Sequence, residues 1–252
     1  MAAPARQSDY QRPRSPSGGG PPAGGWSLLD VAGRLAHDIR NPLTSLEVTA
    51  FVLASELKGL ERRDLDGLVA EIFEVRHRVT LGVDELVESA RVADGDIDVS
   101  RDWTRLGDVV DEALRDAGYY RAGSVVYRES PDRSDLLAFV DGARMRMVVR
   151  SLMRYLLDYG RAPVRVRVRP GEDTVVLRIE DASTDVTAAD VETTMSRLEA
   201  GPSLGEAFGA GLGLFVCRPI VEAHGGSLTG EVGDVGSTAF VIRLPRGENL
   251  ED

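Results

Sequence analysis

Residues 164–181 read VRVRVRPGEDTVVLRIED. Val164, Val166 and Val168 alternate with arginine, and Val175, Leu177 and Ile179 repeat the alternation beyond the turn Pro170-Gly171-Glu172-Asp173. Successive side chains of a strand point to opposite faces, so each run carries one apolar face and the pair predicts a β-hairpin buried on one side. Working outward, strand character returns at Ser227 to Glu231 and Thr238 to Leu244, after the turn Gly225-Gly226, and at Ser124 to Glu129 and Leu136 to Val140. Helical spacing covers Leu106 to Ala117, Ala143 to Tyr159, and the stretch from GAGLGL through His224. Strands mixed with non-alternating helices predict an α/β sandwich with its helices on one sheet face.

The N-terminal third is different. Leu35, Ile39, Leu43, Leu46, Ala50, Leu53 and Leu57 recur at spacings of 3 or 4, one apolar stripe on a long helix. Gly59 and the polar residues to Asp64 interrupt it, after which Leu65, Leu68, Ile72, Val75, Val79, Val83, Leu86 and Ala90 form a second stripe. Two helices folded back on each other cannot enclose a core, so a second copy completing a four-helix bundle is expected, making the protein a homodimer. The expected organisation is a disordered Pro-, Gly-, Ser- and Arg-rich tail (1–25), a dimerising hairpin (26–95) and the α/β unit (96–252).

Composition narrows the function. Forty-one acidic against 30 basic residues, a net charge of −11, argues against a nucleic-acid partner. One cysteine, Cys217, and three histidines leave no disulfide framework and no zinc-type cluster, so no metal ligands are assigned. No apolar run suits a membrane span or a signal peptide, and a soluble cytoplasmic protein with no membrane partner is the expectation.

His37 lies in LAHDIRNPL two positions off the apolar stripe, where its ring faces solvent. Imidazole is nucleophilic near neutral pH, and Asp38 can accept a ring proton or orient the ring during attack on a phosphoryl group. Asn41, four residues on, returns to the same helix face, where its amide can position a water. Pro42 invites a kink beside that ring.

HDIRNPLTSLE resembles the phospho-acceptor box of two-component sensor histidine kinases, where it stands on the first helix of a dimerising hairpin. The resemblance implies that His37 is phosphorylated, that Asp38 is its acid–base partner, and that Asn41 assists dephosphorylation of a response-regulator aspartate. Residues 96–246 resemble the ATP-binding domain of the same kinases, with departures. The helix DGARMRMVVRSLMRYLLDYG aligns with the box that supplies a magnesium-binding Asn, yet Tyr155 stands at that Asn, Ser151 at a second Asn, and Asp158 where a Lys or Arg is common. Magnesium takes hard oxygen ligands in near-ideal octahedra, a role a phenol does not fill. The Asp-x-Gly-x-Gly box, whose Asp recognises adenine, reads Asp181-Ala182-Ser183-Thr184-Asp185, with both glycines replaced. Gly209, Gly211 and Gly213 match the GxGLGL loop that cradles phosphates at a helix N-terminus, or else they shape the turn into that helix. Pro219 should kink or shorten the helix that follows, His224 suits capping and packing, His77 faces solvent and Cys217 suits core packing.

An intact acceptor box joined to an altered nucleotide site predicts a histidine phosphotransferase or phosphatase derived from a kinase. It would exchange phosphoryl groups between His37 and response-regulator receiver domains, with no cofactor and with an upstream histidine kinase as a further partner. The alternatives are an active orphan kinase, which needs ATP and magnesium at Asp181 and the 209–214 loop, and a non-catalytic pseudokinase that docks a regulator or a kinase.

Overall fold

The computed structural model describes residues 44, 46–51, 62–95, 97–116, 127–129, 136–200 and 210–246. His37, Asp38, Asn41, Pro42 and Gly209, like the tail, lie outside the described residues, as does the side chain of His77. Of the first hairpin helix, residues 44 and 46–51 are described, and they are helical.

Helix α1 (Arg62–Asp94) is the second hairpin helix, 33 residues long, and it stops where Gly95 takes φ 73°. Then follow β1 (Asp102–Arg105), α2 (Leu106–Asp116), β2 (Tyr127–Glu129), β3 (Leu137–Val140), α3 (Gly142–Tyr159), β4 (Arg165–Pro170) and β5 (Thr174–Glu180). The chain closes with α4 (Ala188–Ala200), α5 (Ala210–Ala223), β6 (Ser227–Val232) and β7 (Thr238–Pro245). Five strands form one sheet in the order β2-β4-β5-β7-β6, parallel only at β2–β4, and β1 pairs with β3 in a separate antiparallel ribbon. The hairpin read from 164–181 is present, with Val166 opposite Ile179 and Val168 opposite Leu177. Its apolar face is buried with Phe240, Ile242 and Leu244 of β7, against α3 and α5. On the other face the arginines are held by carboxylates: Arg178 lies 2.7 Å from Glu231 and 3.2 Å from Glu180.

Two elements escape the sequence reading, β1 and α4. Strand β1 is four residues long and three of them are exposed, so it has no apolar alternation to detect. Helix α4 begins with a reciprocal cap: Asp190 Oδ2 accepts from Thr187 N–H at 2.9 Å, and Thr187 Oγ1 accepts from Asp190 N–H at 3.3 Å. The Thr-x-x-Asp signal was there to be read. Pro219 does not end α5, which runs to Ala223. The hydrogen bond that proline withholds is offset by burial of Val216, Cys217, Ile220 and Val221, which keeps Cys217 in the core.

The single chain buries only part of the α1 stripe. Val75 is buried as expected, but Val83 is exposed, and in the C-terminal half the face against the α/β unit is Glu85, Glu88 and Ser89. There Glu85 and Glu88 pair with Arg150 and Arg144 of α3.

His224 ties the end of α5 to the start of α3. Its Nε2 accepts from Asp141 N–H at 2.9 Å, and Nδ1 faces the Ile220 carbonyl at 2.7 Å, so Nδ1 carries the proton of a neutral ring. Burial lowers its pKa from 6.5, against the opposing pull of the Ile220 carbonyl. A depressed native pKa means that the unfolded chain takes the proton first, so this contribution is full above pH 6.5 and is lost as pH falls through the native value. In urea titrations His224→Phe should cost about 1–3 kcal/mol at pH 7.5. The gap to the parent should narrow as pH drops below 6.5.

Candidate functional site

Asp181 stands just past β5 and is fully buried. Its carboxylate is already occupied: Oδ1 accepts from Thr238 N–H at 2.8 Å, and Oδ2 accepts from Arg161 N–H at 3.0 Å and from the Ser183 hydroxyl. The strand pairing extends through the site, since Asp181 N–H donates to Thr238 O at 3.1 Å and Ala182 N–H to Arg161 O at 2.7 Å. Gly160, after α3, permits this closeness, because a Cβ there would lie 2.5 Å from Asp181 Oδ2. Ser183 thus acts as an internal donor to Asp181. No non-glycine residue among the described ones has a positive φ, so Ser183 and Asp185 are accommodated by ordinary backbone.

Tyr155, on α3, is buried. Its ring packs against Tyr159 at 4.9 Å between centroids and meets Phe240 edge-on at 5.9 Å, while its hydroxyl lies 3.3 Å from Thr194 Oγ1 of α4. The phenol is built into the packing between α3, α4 and the sheet. Asp158 is paired along its own helix with Arg154 at 3.7 Å.

Of the three glycines, Gly211 and Gly213 lie in the first turn of α5. A Cβ on Gly213 would lie 2.6 Å from Ser151 Oγ and 3.2 Å from Glu85 Cδ. Its smallness is therefore explained by the close approach of α5 to α3 and α1. Asp181 lies beside Gly160, after α3, and Gly213 beside Ser151 in the middle of that helix.

Glu85 was missed by the sequence reading. It is buried, with Oε1 3.4 Å from Arg150 Nη2 and Oε2 without a hydrogen-bond partner, as are Ser151 Oγ and Arg150 Nε. Burial raises the Glu85 carboxyl above its ordinary value, with Arg150 and Arg154 pulling it back. No signal in a single sequence separates this glutamate from the solvated charges usual on a helix. Among the described residues no group of His, Cys, Asp and Glu side chains could hold a metal.

Residues 140–248 match the family of histidine kinase-, DNA gyrase B- and HSP90-like ATPases. The sensor protein KdpD of Escherichia coli (strain K12) is 27% identical over 220 residues, which are 84% of this chain and 24% of KdpD. Sensor histidine kinase TrcS of Mycobacterium tuberculosis is 30% identical over 224 residues, 83% of this chain and 42% of TrcS. The chain spans about a quarter of the length of the KdpD relatives, 24% and 26%. Among solved structures, the Acinetobacter baumannii histidine kinase AdeS superposes with a TM-score of 0.53 at 17% identity, covering 84% of this chain and 98% of that one. Histidine kinase ThkA in complex with response regulator protein TrrA superposes with a TM-score of 0.53 at 18% identity, covering 87% and 62%. Over most of its length the chain matches sensor histidine kinases. Its α/β unit has the Bergerat-type fold of the matching ATPase domain, helices over a largely antiparallel sheet.

Proposed function

We propose that this chain is a histidine phosphotransferase and phosphatase that exchanges phosphoryl groups between His37 and response-regulator aspartates. The observation that carries the reading is the closed state of the nucleotide-type site. Adenine would have to displace the Ser183 hydroxyl from Asp181 Oδ2, and Tyr155 offers a packed phenol where magnesium needs an amide oxygen. These residues do not fit Mg-ATP, and no step of the mechanism runs through it.

In the forward step an imidazole nitrogen of His37 attacks phosphorus in the aspartyl phosphate of a docked receiver. The new N–P bond forms as the P–O bond to the aspartate breaks; the carboxylate departs with the bonding pair, and Asp38 takes or steadies the ring proton. Asn41, on the same helix face, serves the competing loss to water by holding a water in line with phosphorus. Receiver domains as partners are supported by the family and by the ThkA complex with TrrA. No described helix is long and apolar enough to cross a membrane, and a cytoplasmic site of action is part of the reading.

The reading includes a homodimer. Phe73 and Val69 of α1, and Val48 and Phe51 of the first hairpin helix, are exposed in the single chain, as is Val87. Burying such side chains is worth about 1.5–3 kcal/mol each, so a second hairpin is the expected cover. Light scattering at micromolar concentration should give twice the chain mass, and a stable monomer would remove the dimer.

Phosphorylated receivers should label His37, producing an acid-labile, base-stable phosphate. His37→Ala should abolish the label and keep the dimer, while Asn41→Ala should slow receiver dephosphorylation and leave labelling intact. If a panel of phosphorylated receivers from the same cell leaves the chain unlabelled, docking without catalysis replaces this reading.

Calorimetry with Mg-ATP should give a dissociation constant in the millimolar range or weaker, since each lost charge-assisted contact costs roughly 1.5–3 kcal/mol. Ser183→Gly, which frees one lone pair of Asp181, should tighten it about tenfold. Low-micromolar binding by the unaltered chain would put the orphan kinase first, using the retained Asp181 and the glycines of α5.

A further inference from the structure

The sheet face that turns away from the helices carries Arg165, Arg167 and Arg169 on β4, Arg178 on β5 and Arg243 on β7, with Glu180 on β5 and Glu231 on β6. Strand register sets these residues in rows. Arg165 lies opposite Glu180, in line with Ala239 and Glu231; Arg167 lies opposite Arg178, in line with Val241 and Thr229; Arg169 lies opposite Val176, in line with Arg243 and Ser227. Both glutamates stand in the first row. Arg178 reaches back to them, 3.2 Å from Glu180 and 2.7 Å from Glu231, and Arg243 reaches Glu231 at 3.3 Å.

The third row has no carboxylate on these four strands. Arg169 is exposed and makes no ion pair or side-chain hydrogen bond among the described residues. Arg243 is 42% exposed, and Val176 lies half-buried between the two. Two guanidiniums thus flank an apolar floor, in a protein whose net charge is −11.

The chain that leaves this end of the sheet has the complementary chemistry. Residues 247–252 read GENLED, three carboxylates and one leucine with no cation. These residues lie outside the described ones, but their point of departure is fixed. Pro245 pairs with Thr174, and Arg246 N–H donates to the Asp173 carbonyl at 2.9 Å in the β4–β5 turn. The segment therefore starts one row below Arg169, Val176 and Arg243. With strands about 4.8 Å apart and about 3.4 Å per residue along them, Arg243 Cα lies about 7 Å from Pro245 Cα and Arg169 Cα about 12 Å. An extended chain spans about 3.3–3.6 Å per residue, so Glu248 reaches about 10 Å from Pro245 and Glu251 about 20 Å. Single surface ion pairs are weak and screened by salt, but a tether this short replaces a bimolecular encounter with an intramolecular one at an effective concentration in the millimolar range.

We propose that residues 247–252 dock on the open face of the sheet, their carboxylates on Arg169 and Arg243 and Leu250 over Val176, and so cover this cationic row against other anionic partners. The inference does not rest on the phosphotransfer reading.

The test uses the full chain with a nitroxide at Asn249→Cys, leaving Cys217, which is buried, in place. Paramagnetic broadening is read at the Val176 methyls. The tether alone keeps some broadening there, so its dependence on charge is the decisive quantity. In 20 mM salt the broadening should be at least threefold that in 1 M salt. Arg169→Glu with Arg243→Glu should reduce it at least threefold at low salt, and adding Glu248→Arg, Glu251→Arg and Asp252→Arg should restore it within twofold. Should the paired variant fail to fold, Arg169→Glu alone, at a side chain without a partner, should halve it. Broadening that ignores both salt and charge reversal overturns the docking. So does broadening found only when nitroxide and observed methyls sit on different chains of a mixed sample, because the segment then serves a second copy. A fluorescent hexaglutamate peptide should bind the Glu248→Gln, Glu251→Gln, Asp252→Asn chain at least threefold more tightly than the parent at low salt, and equal binding overturns the covering role.

Discussion

Helix α3 packs against α2, α5 and the sheet, and its burial there is the constraint from which the other features follow. Met145, Val148, Val149, Leu152, Met153 and Leu156 are buried along it, a stripe wide enough to face α2, α5 and the strands together. Once that stripe fixes the rotation of the helix, its other residues have no freedom of direction. Asp141 meets His224 and the linker, Arg144 and Arg150 meet the carboxylates of α1, Ser151 meets Gly213, and Tyr155 meets the aromatic rings above β7. Cap, ion pairs and packed tyrosine lie on successive turns of one helix.

The two halves of the functional reading come from different physics. The acceptor histidine needs exposure and a local helix face, which a short motif can supply by itself. A nucleotide site needs an empty volume, a free acceptor and small residues held apart by tertiary structure. In this chain a serine hydroxyl satisfies Asp181, and the Tyr155 ring is packed against Tyr159 and Phe240. A site that satisfies its own polar groups has little to gain from a ligand, because every new hydrogen bond replaces one already made.

Charge plays opposite parts on the two faces of the α/β unit. On the open face of the sheet, Arg178, Glu231 and Arg243 pair in partial contact with solvent, where such contacts add little stability and keep the surface wet. Toward α1 the same residue types are taken out of water, where incomplete pairing is costly. Composition treats these arginines alike; their surroundings do not.

Periodicity in the sequence by itself determined the sheet hairpin, the long helix α1, the two closing strands and α3, because an alternation of 2 or a spacing of 3 to 4 is a local property that burial then enforces. The replaced glycines and the tyrosine were likewise visible at Ser183, Asp185 and Tyr155 as changes of residue type. Short β1 had no alternation to show, and the cap Thr187-Ala188-Ala189-Asp190 was legible but went unread. Only the tertiary structure decided that Ser183 turns its hydroxyl onto Asp181, that Gly213 is small because Ser151 and Glu85 crowd it, and that α1 buries Glu85 and Glu88 while leaving Val83 and Val87 exposed. Each of those facts depends on a partner far away in the chain, and a helix stripe read alone says which residues are apolar, never which face an arginine on another helix will claim.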